Sequence, residues 1–383
     1  LFSLKKWAGK YVIGLTGNIG TGKSVVRRML EHLGAYGIDA DALSHRAIAK
    51  GAPGYEPVLE AFGRYILGPD EQIDRKKLGR LVFNDPEALK QLEAIIHPLV
   101  KHAIDLIVRR ASQKVIVIET VKIFESGMSE VCDSVWVVYA PEEVQLARLV
   151  QNRGMSEKDA LQRINNQPAQ DGQLSSANVI IKNISSYEDT WYQVTQAWQK
   201  FVSGSDNNNT FFSQPVHLNL GEVSVHRAGP KQADEIVEIV NRLTNPTPKL
   251  TKDRVMAAFG EKAYLLLHVE NNNMGFLGWQ VENLVARTTQ IALDPVLPPA
   301  QYIPIMIREM ERASRELQCE VSLIVSPQTL SRQESLWKSL GYEPRQPQEL
   351  TVLAWQEAAD EIMLPGYVLF FKQLRQDRVL RPI

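Results

Sequence analysis

Residues 17–24 read Gly-Asn-Ile-Gly-Thr-Gly-Lys-Ser, the G-x-x-x-x-G-K-S pattern of a phosphate-binding loop. An apolar run, Tyr11 to Leu15, precedes it and reads as a buried strand. Val25 to Leu33 follows and reads as a helix. Strand, glycine loop and helix together confine the chain to an open α/β architecture with its ligand beyond the strand's C-terminal end. The glycines let the backbone wrap phosphate oxygens with its N–H groups turned inward, and the helix N-terminus adds partial positive charge there. Gly17, Asn18, Ile19, Gly20, Thr21, Gly22, Lys23, Ser24 and Val25 are therefore the expected ATP contacts. Lys23 would reach the β- and γ-phosphates, and the Ser24 hydroxyl would sit on Mg²⁺.

The next runs extend the same pattern. Ala35 to Asp41 starts apolar and ends acidic, which predicts a second strand delivering Asp39 and Asp41 to the ligand edge of the sheet. Residues 42–112 carry helical spacing and form an insertion longer than a crossover needs, with Asp85-Pro86-Glu87 as a helix start. Lys114 to Glu119, Ser134 to Ala140 and Val179 to Ile181 read as further strands. Glu119, ending its strand, is placed either to orient a Mg²⁺-bound water or to cap a helix. Two short helices carry Arg148, Arg153 and Arg163 and read as a lid over nucleotide phosphates, or as a solvated basic surface.

Composition narrows the class. A length of 383 residues allows about two domains, and a net charge of −1 gives no basic field for nucleic acid. No apolar run reaches membrane-spanning length. Two cysteines far apart and a lysine-interrupted N-terminus fit a cytoplasmic setting. Residues 203–220 are small and polar, which predicts a linker between a kinase domain over 1–202 and a second domain over 221–383.

Residues 12–186 resemble the dephospho-CoA kinase family through an ordered series of segments. These are Gly14 to Ser24, Ile38-Asp39-Ala40-Asp41, Asp74-Arg75, Leu81 to Pro86, Ile96-His97-Pro98-Leu99, Phe124-Glu125 and Arg163 to Gln167. The resemblance implies ATP-dependent phosphorylation of the ribose 3′-hydroxyl of dephospho-CoA, with Asp41 as the base and Lys23 at the transferring phosphate. It implies a substrate pocket drawn from Thr16, Asp41, Arg75, His97, Glu125 and Arg163, although His97 before Pro98 also suits a buried histidine. Two segments depart from the family. Glu119 to Glu125 loses a proline and gains Lys122, and Ala177 to Asn183 has lost two acidic positions. Lys122 keeps open a kinase for another small alcohol or nucleotide. The altered segment keeps open a nucleotide-binding regulator.

Residues 223–374 resemble the GNAT acyltransferase fold, an α+β arrangement, with Leu340-Gly341-Tyr342 as the best local mark. The family's acyl-CoA loop is glycine-rich, whereas Asp294 to Gln301 has no glycine and three prolines, which remove N–H donors. Trp337 stands nearest the family's tyrosine acid and has no proton to give a thiolate. A non-catalytic module is expected, with self-association left open as its use.

Overall fold

The computed structural model describes residues 6–167, 170–202, 216–217, 223–270, 272–282 and 284–376. The first sheet has five parallel strands: β1 (Tyr11–Thr16), β2 (Tyr36–Asp39), β3 (Val115–Glu119), β4 (Ser134–Tyr139) and β5 (Val179–Lys182). Their order is β2-β3-β1-β4-β5. Helices α1 (Lys23–His32), α2 (Ala40–Ala47), α3 (Tyr55–Phe62), α4 (Arg75–Asn84), α5 (Pro86–Arg110), α6 (Glu142–Arg153), α7 (Glu157–Asn165), α8 (Gln170–Ser175) and α9 (Tyr187–Phe201) surround it.

The strands are nearly continuous in apolar residues because both faces are covered. Successive side chains alternate between faces. Val12, Ile116 and Ile118 join the core under α2 to α5. Ile13, Leu15, Val117, Trp136 and Val138 join the one under α1 and α9. Helix α5 starts as its sequence dictates, with the Asp85 carboxylate accepting from the Glu87 and Ala88 N–H groups and Pro86 just inside.

One expectation needs correcting. Strand β2 ends at Asp39, whose side chain caps α2 by accepting from Ala42 N–H, so Asp41 lies in the first turn of a helix and not on a strand end. An aspartate at a strand end is a preferred N-cap, so the turn follows immediately.

The second half is a mixed sheet of β6 (Val216–His217), β7 (Val223–Ala228), β8 (Ala263–Val269), β9 (Asn272–Glu282), β10 (Val285–Leu293), β11 (Val321–Pro327), β12 (Glu343–Pro344) and β13 (Tyr367–Gln373). The order is β12-β13-β11-β10-β9-β8-β7-β6, and only β10 and β11 pair parallel. Helices α10 (Ala233–Thr244), α11 (Lys252–Ala258), α12 (Pro299–Glu316), α13 (Gln328–Ser331), α14 (Glu334–Leu340) and α15 (Leu353–Ile362) cover it, α12 making the crossover between the parallel pair. The 203–220 segment lies outside the described residues, apart from 216 and 217, which already pair with β7.

Pro298 is the N-cap of α12 and Pro299 its first residue, so the proline run after β10 starts a helix directly. Trp337 belongs to the core: it is 1% exposed, stacks on Phe370 at 4.1 Å and donates Nε1–H to Leu330 O.

The two halves touch along α1, β2 and α2. Arg28 donates to Val281 O, His32 Nε2–H to Phe259 O at 3.0 Å and Tyr36 O–H to Leu317 O at 2.9 Å. Arg46 pairs with buried Glu320 at 2.8 Å. Leu284 and Leu317 pack onto the apolar core beneath α2 to α5.

Candidate active site

The glycine loop owes its shape to two positions in particular. Gly17 has φ 145°, and a Cβ there would lie 2.3 Å from Val138 O. Gly22 has φ 91°, and its Cβ would lie 2.1 Å from Asn183 Nδ2. Only glycine fits either place. Gly22 is also the N-cap of α1, so no side chain caps this helix, and its first turn carries no acidic residue. The first intrahelical bond comes from Val26 N–H to Gly22 O, so the N–H groups of Lys23 and Ser24 lie ahead of it, with the helix dipole behind them. That is an anion site.

Side chains from later elements brace the loop. Asn183 Nδ2 donates to Thr21 O at 2.8 Å, and its Oδ1 accepts from the Thr190 hydroxyl. An aspartate could not make the first of these bonds, so the asparagine at 183 gives the loop a brace. Arg148 donates to Gly20 O, Thr21 O and Asn183 O. It is therefore tied to the loop's carbonyls, not loose in a lid, although it still borders the cavity. Burial lowers its pKa. Gln167 Oε1 accepts from Ile19 N–H at 2.6 Å.

A cavity of about 700 Å³ opens from the loop, a size suited to a nucleotide. Lys23, Ser24, Val25, Asp39, Asp41 and Glu119 lie on it, with His45 and Arg148. Two residues of the second half, Ala257 and Glu282, complete the wall. Lys23 Nζ rests 3.2 Å from Asn18 O. Asp41 accepts from the Thr120 hydroxyl at 2.8 Å and from Val121 N–H at 3.3 Å. Burial raises its pKa against the Thr120 bond that lowers it, while Asp39 raises it further and Lys23 lowers it.

Glu119 does not face the cavity unengaged. Its Oε2 accepts from Arg27 Nε at 2.6 Å, and Arg27 also holds Glu31 at 2.7 Å. Burial raises the Glu119 pKa, opposed first by Arg27. Helix capping, the alternative reading, is not what this side chain does.

The substrate candidates disperse. Thr16 is fully buried and donates its hydroxyl to Val121 O at 3.0 Å. Arg75 is exposed at the start of α4 and is near enough to His45 to lower that imidazole's pKa, second to desolvation. His97 is half-buried within α5, and Glu125 and Arg163 are exposed. None of Thr16, Arg75, His97, Glu125 and Arg163 borders the 700 Å³ cavity, which joins Asp41 alone of the substrate set to the loop. Arg153 has a side chain outside the described set. Lys122 turns away to pair with Glu93 at 2.8 Å. Arg27 and His45 went unread in the sequence. The spacing Asp41 to His45, one helical turn, was the available signal for His45.

A glycine loop at an uncapped helix, a lysine, a hydroxyl and a held carboxylate on one cavity define a P-loop phosphotransferase. The family model described as CoaE, dephospho-CoA kinase, matches residues 11–189. A dephospho-CoA kinase of Geobacter metallireducens is 41% identical over 194 residues, covering 50% of this chain and 96% of that one. The chain belongs to the dephospho-CoA kinase family, whose members are ATP-using kinases. Among solved structures, dephospho-CoA kinase from Campylobacter jejuni is similar at 31% identity, with TM-score 0.39 over 51% of this chain and 100% of that one. PaiA N-acetyltransferase from Thermoplasma acidophilum is similar to the second half at 9% identity, with TM-score 0.31 over 40% of this chain and 99% of that one. No helix among the described residues is long and apolar enough to cross a membrane.

Proposed function

We propose that the first half transfers the γ-phosphoryl group of ATP to the ribose 3′-hydroxyl of dephospho-CoA, giving coenzyme A. The observation that carries this reading is the Asp41 carboxylate, fixed by two donors on the cavity that holds Lys23 and the loop. A hydroxyl attacking phosphorus must lose its proton, and Asp41 is the acceptor. Burial makes it more basic than an ordinary aspartate. Thr120 O–H and Val121 N–H hold both carboxylate oxygens, so the base is aimed before substrate arrives. Lys23 and the N–H groups at the start of α1 stabilise charge on the transferring phosphoryl group. Arg148 and Asn183 keep the loop in shape by bonding its carbonyls.

Mg²⁺ fits this donor set. Ser24, Asp39 and Asp41 offer oxygen atoms on the cavity, with Glu119 behind them on Arg27. Hard oxygen donors suit Mg²⁺, which keeps several of its waters. When bound it neutralises phosphate charge.

The second half is read as non-catalytic. Pro298 and Pro299 take N–H donors from the start of α12, and Trp337 and Tyr342 are core residues, the Tyr342 hydroxyl donating to Ser322 Oγ. Its free thiol, Cys319, is buried. Its place beside the kinase cavity, through Ala257 and Glu282, suits a wall. A substrate panel tests the whole reading. With ATP and Mg²⁺, phosphoryl transfer to dephospho-CoA should exceed transfer to adenosine, pantetheine or other alcohols by on the order of 10²-fold in kcat/KM. Preference for another alcohol, or no turnover, would overturn it.

A further inference from the structure

A second group of chemistry-bearing side chains lies in the other half of the chain. Strands β7 and β8 are antiparallel neighbours, with His226 opposite Leu266 and His268 opposite Ser224. The two histidines are thus diagonal neighbours on one face of the pair. Their ring centroids are 4.4 Å apart at 49°, which is neither stacked nor edge-on. Glu235, in the first turn of α10, reaches the same point. One ligand atom from each of the three lies within 4.8 Å of the other two. Among the described residues no hydrogen bond engages either imidazole.

We propose that His226, Glu235 and His268 bind a transition-metal dication, zinc foremost. Two imidazole nitrogens and one carboxylate oxygen are a donor set for Zn²⁺ and a poor one for Mg²⁺ or Ca²⁺. Zn²⁺ holds such donors at about 2.0–2.1 Å, which places tetrahedral neighbours about 3.3 Å apart. The observed trio, within 4.8 Å, has at most about 1.5 Å to close to reach that spacing. Both histidines are half-buried and Glu235 is exposed, so an ion has a route in from solvent. Three protein ligands leave a fourth position for water or a small anion. The ion would bridge two strands and the helix that packs on them, fixing α10 against β7 and β8. No residue of the nucleotide cavity takes part.

The probe is zinc itself. The full chain is stripped with chelator, dialysed and titrated with ZnCl₂ by calorimetry, beside Co²⁺ titration followed by visible absorption. One equivalent is expected per chain, with the intense bands of tetrahedral Co²⁺. His268→Asn should weaken the affinity by at least about 100-fold, and Glu235→Gln, at an exposed position that leaves folding intact, by about 10-fold. The kinase turnover of Glu235→Gln should stay at the wild-type value. Absence of a bound equivalent, or unchanged stoichiometry and affinity in the double variant His226→Asn, His268→Asn, would overturn the proposal.

Discussion

Replacing Arg27 by methionine tests how the ligand edge of the sheet is held. Arg27 is 7% exposed and Glu119 6%. The pair joins α1 to the end of β3 at 2.6 Å, and Glu31 holds the other side of the guanidinium at 2.7 Å. Methionine keeps most of the aliphatic stem, so the change removes charge more than packing. Breaking a buried ion pair from one side costs about 3–5 kcal/mol, because the partner charge is left in a poor solvent. Arg27→Met should lose stability in that range. Glu119→Gln should lose less, about 1–3 kcal/mol, because Arg27 keeps Glu31. The double variant should be more stable than the sum of the singles by about 2 kcal/mol. Urea unfolding of the four proteins, followed by circular dichroism, gives the cycle. A loss below about 1 kcal/mol in Arg27→Met, or strict additivity, would refute the reasoning.

Other consequences can be measured directly. Lys23→Ala should nearly abolish phosphoryl transfer with the fold intact, since Lys23 stabilises charge and packs little; wild-type turnover would contradict this. Thr120→Val removes a donor that favours the charged form of Asp41. The acid limb of kcat/KM should therefore move to higher pH, and a limb that stays or moves down would show that Asp41 is not the group titrating. The His32 imidazole, which donates to Phe259 O between the halves, is pushed down to about 3, chiefly by burial and next by Arg227. An unfolded histidine titrates near 6.5, so the contribution of neutral His32 is complete above about that pH. It is lost as pH falls from there toward 3, at up to about 1.4 kcal/mol per pH unit. His32→Gln should flatten the decline in stability between pH 6.5 and 5, and an unchanged slope would refute the assignment.

The sequence exposed most of the fold because its signals are local. A glycine loop between strand and helix, an Asp-Pro-Glu helix start and apolar strand runs each act within a few residues. Asp41 was legible by type, but its place in a helix turned on the capping strength of Asp39. The pairing of Glu119 with Arg27 was not legible, since it joins residues 92 positions apart. The same is true of Asn183, whose amide braces Thr21 from 162 positions away. The contact between the halves was hidden for a related reason. Arg28, His32 and Arg46 look like solvated helix charges until the partner carbonyls and Glu320 stand opposite them. As substrate candidates, His97, Glu125 and Arg163 came only from the family resemblance, and none of them lines the 700 Å³ cavity.

Asp41 is proposed to take the proton from the attacking hydroxyl. Its most direct test is Asp41→Asn, with turnover on dephospho-CoA and ATP affinity measured on the same preparation. Asparagine keeps the side chain's size and one acceptor, but it cannot act as the base. Turnover at saturation should fall by on the order of 10²-fold or more while ATP affinity stays nearly unchanged. Loss of ATP binding with turnover at saturation retained would contradict it and make Asp41 a nucleotide ligand.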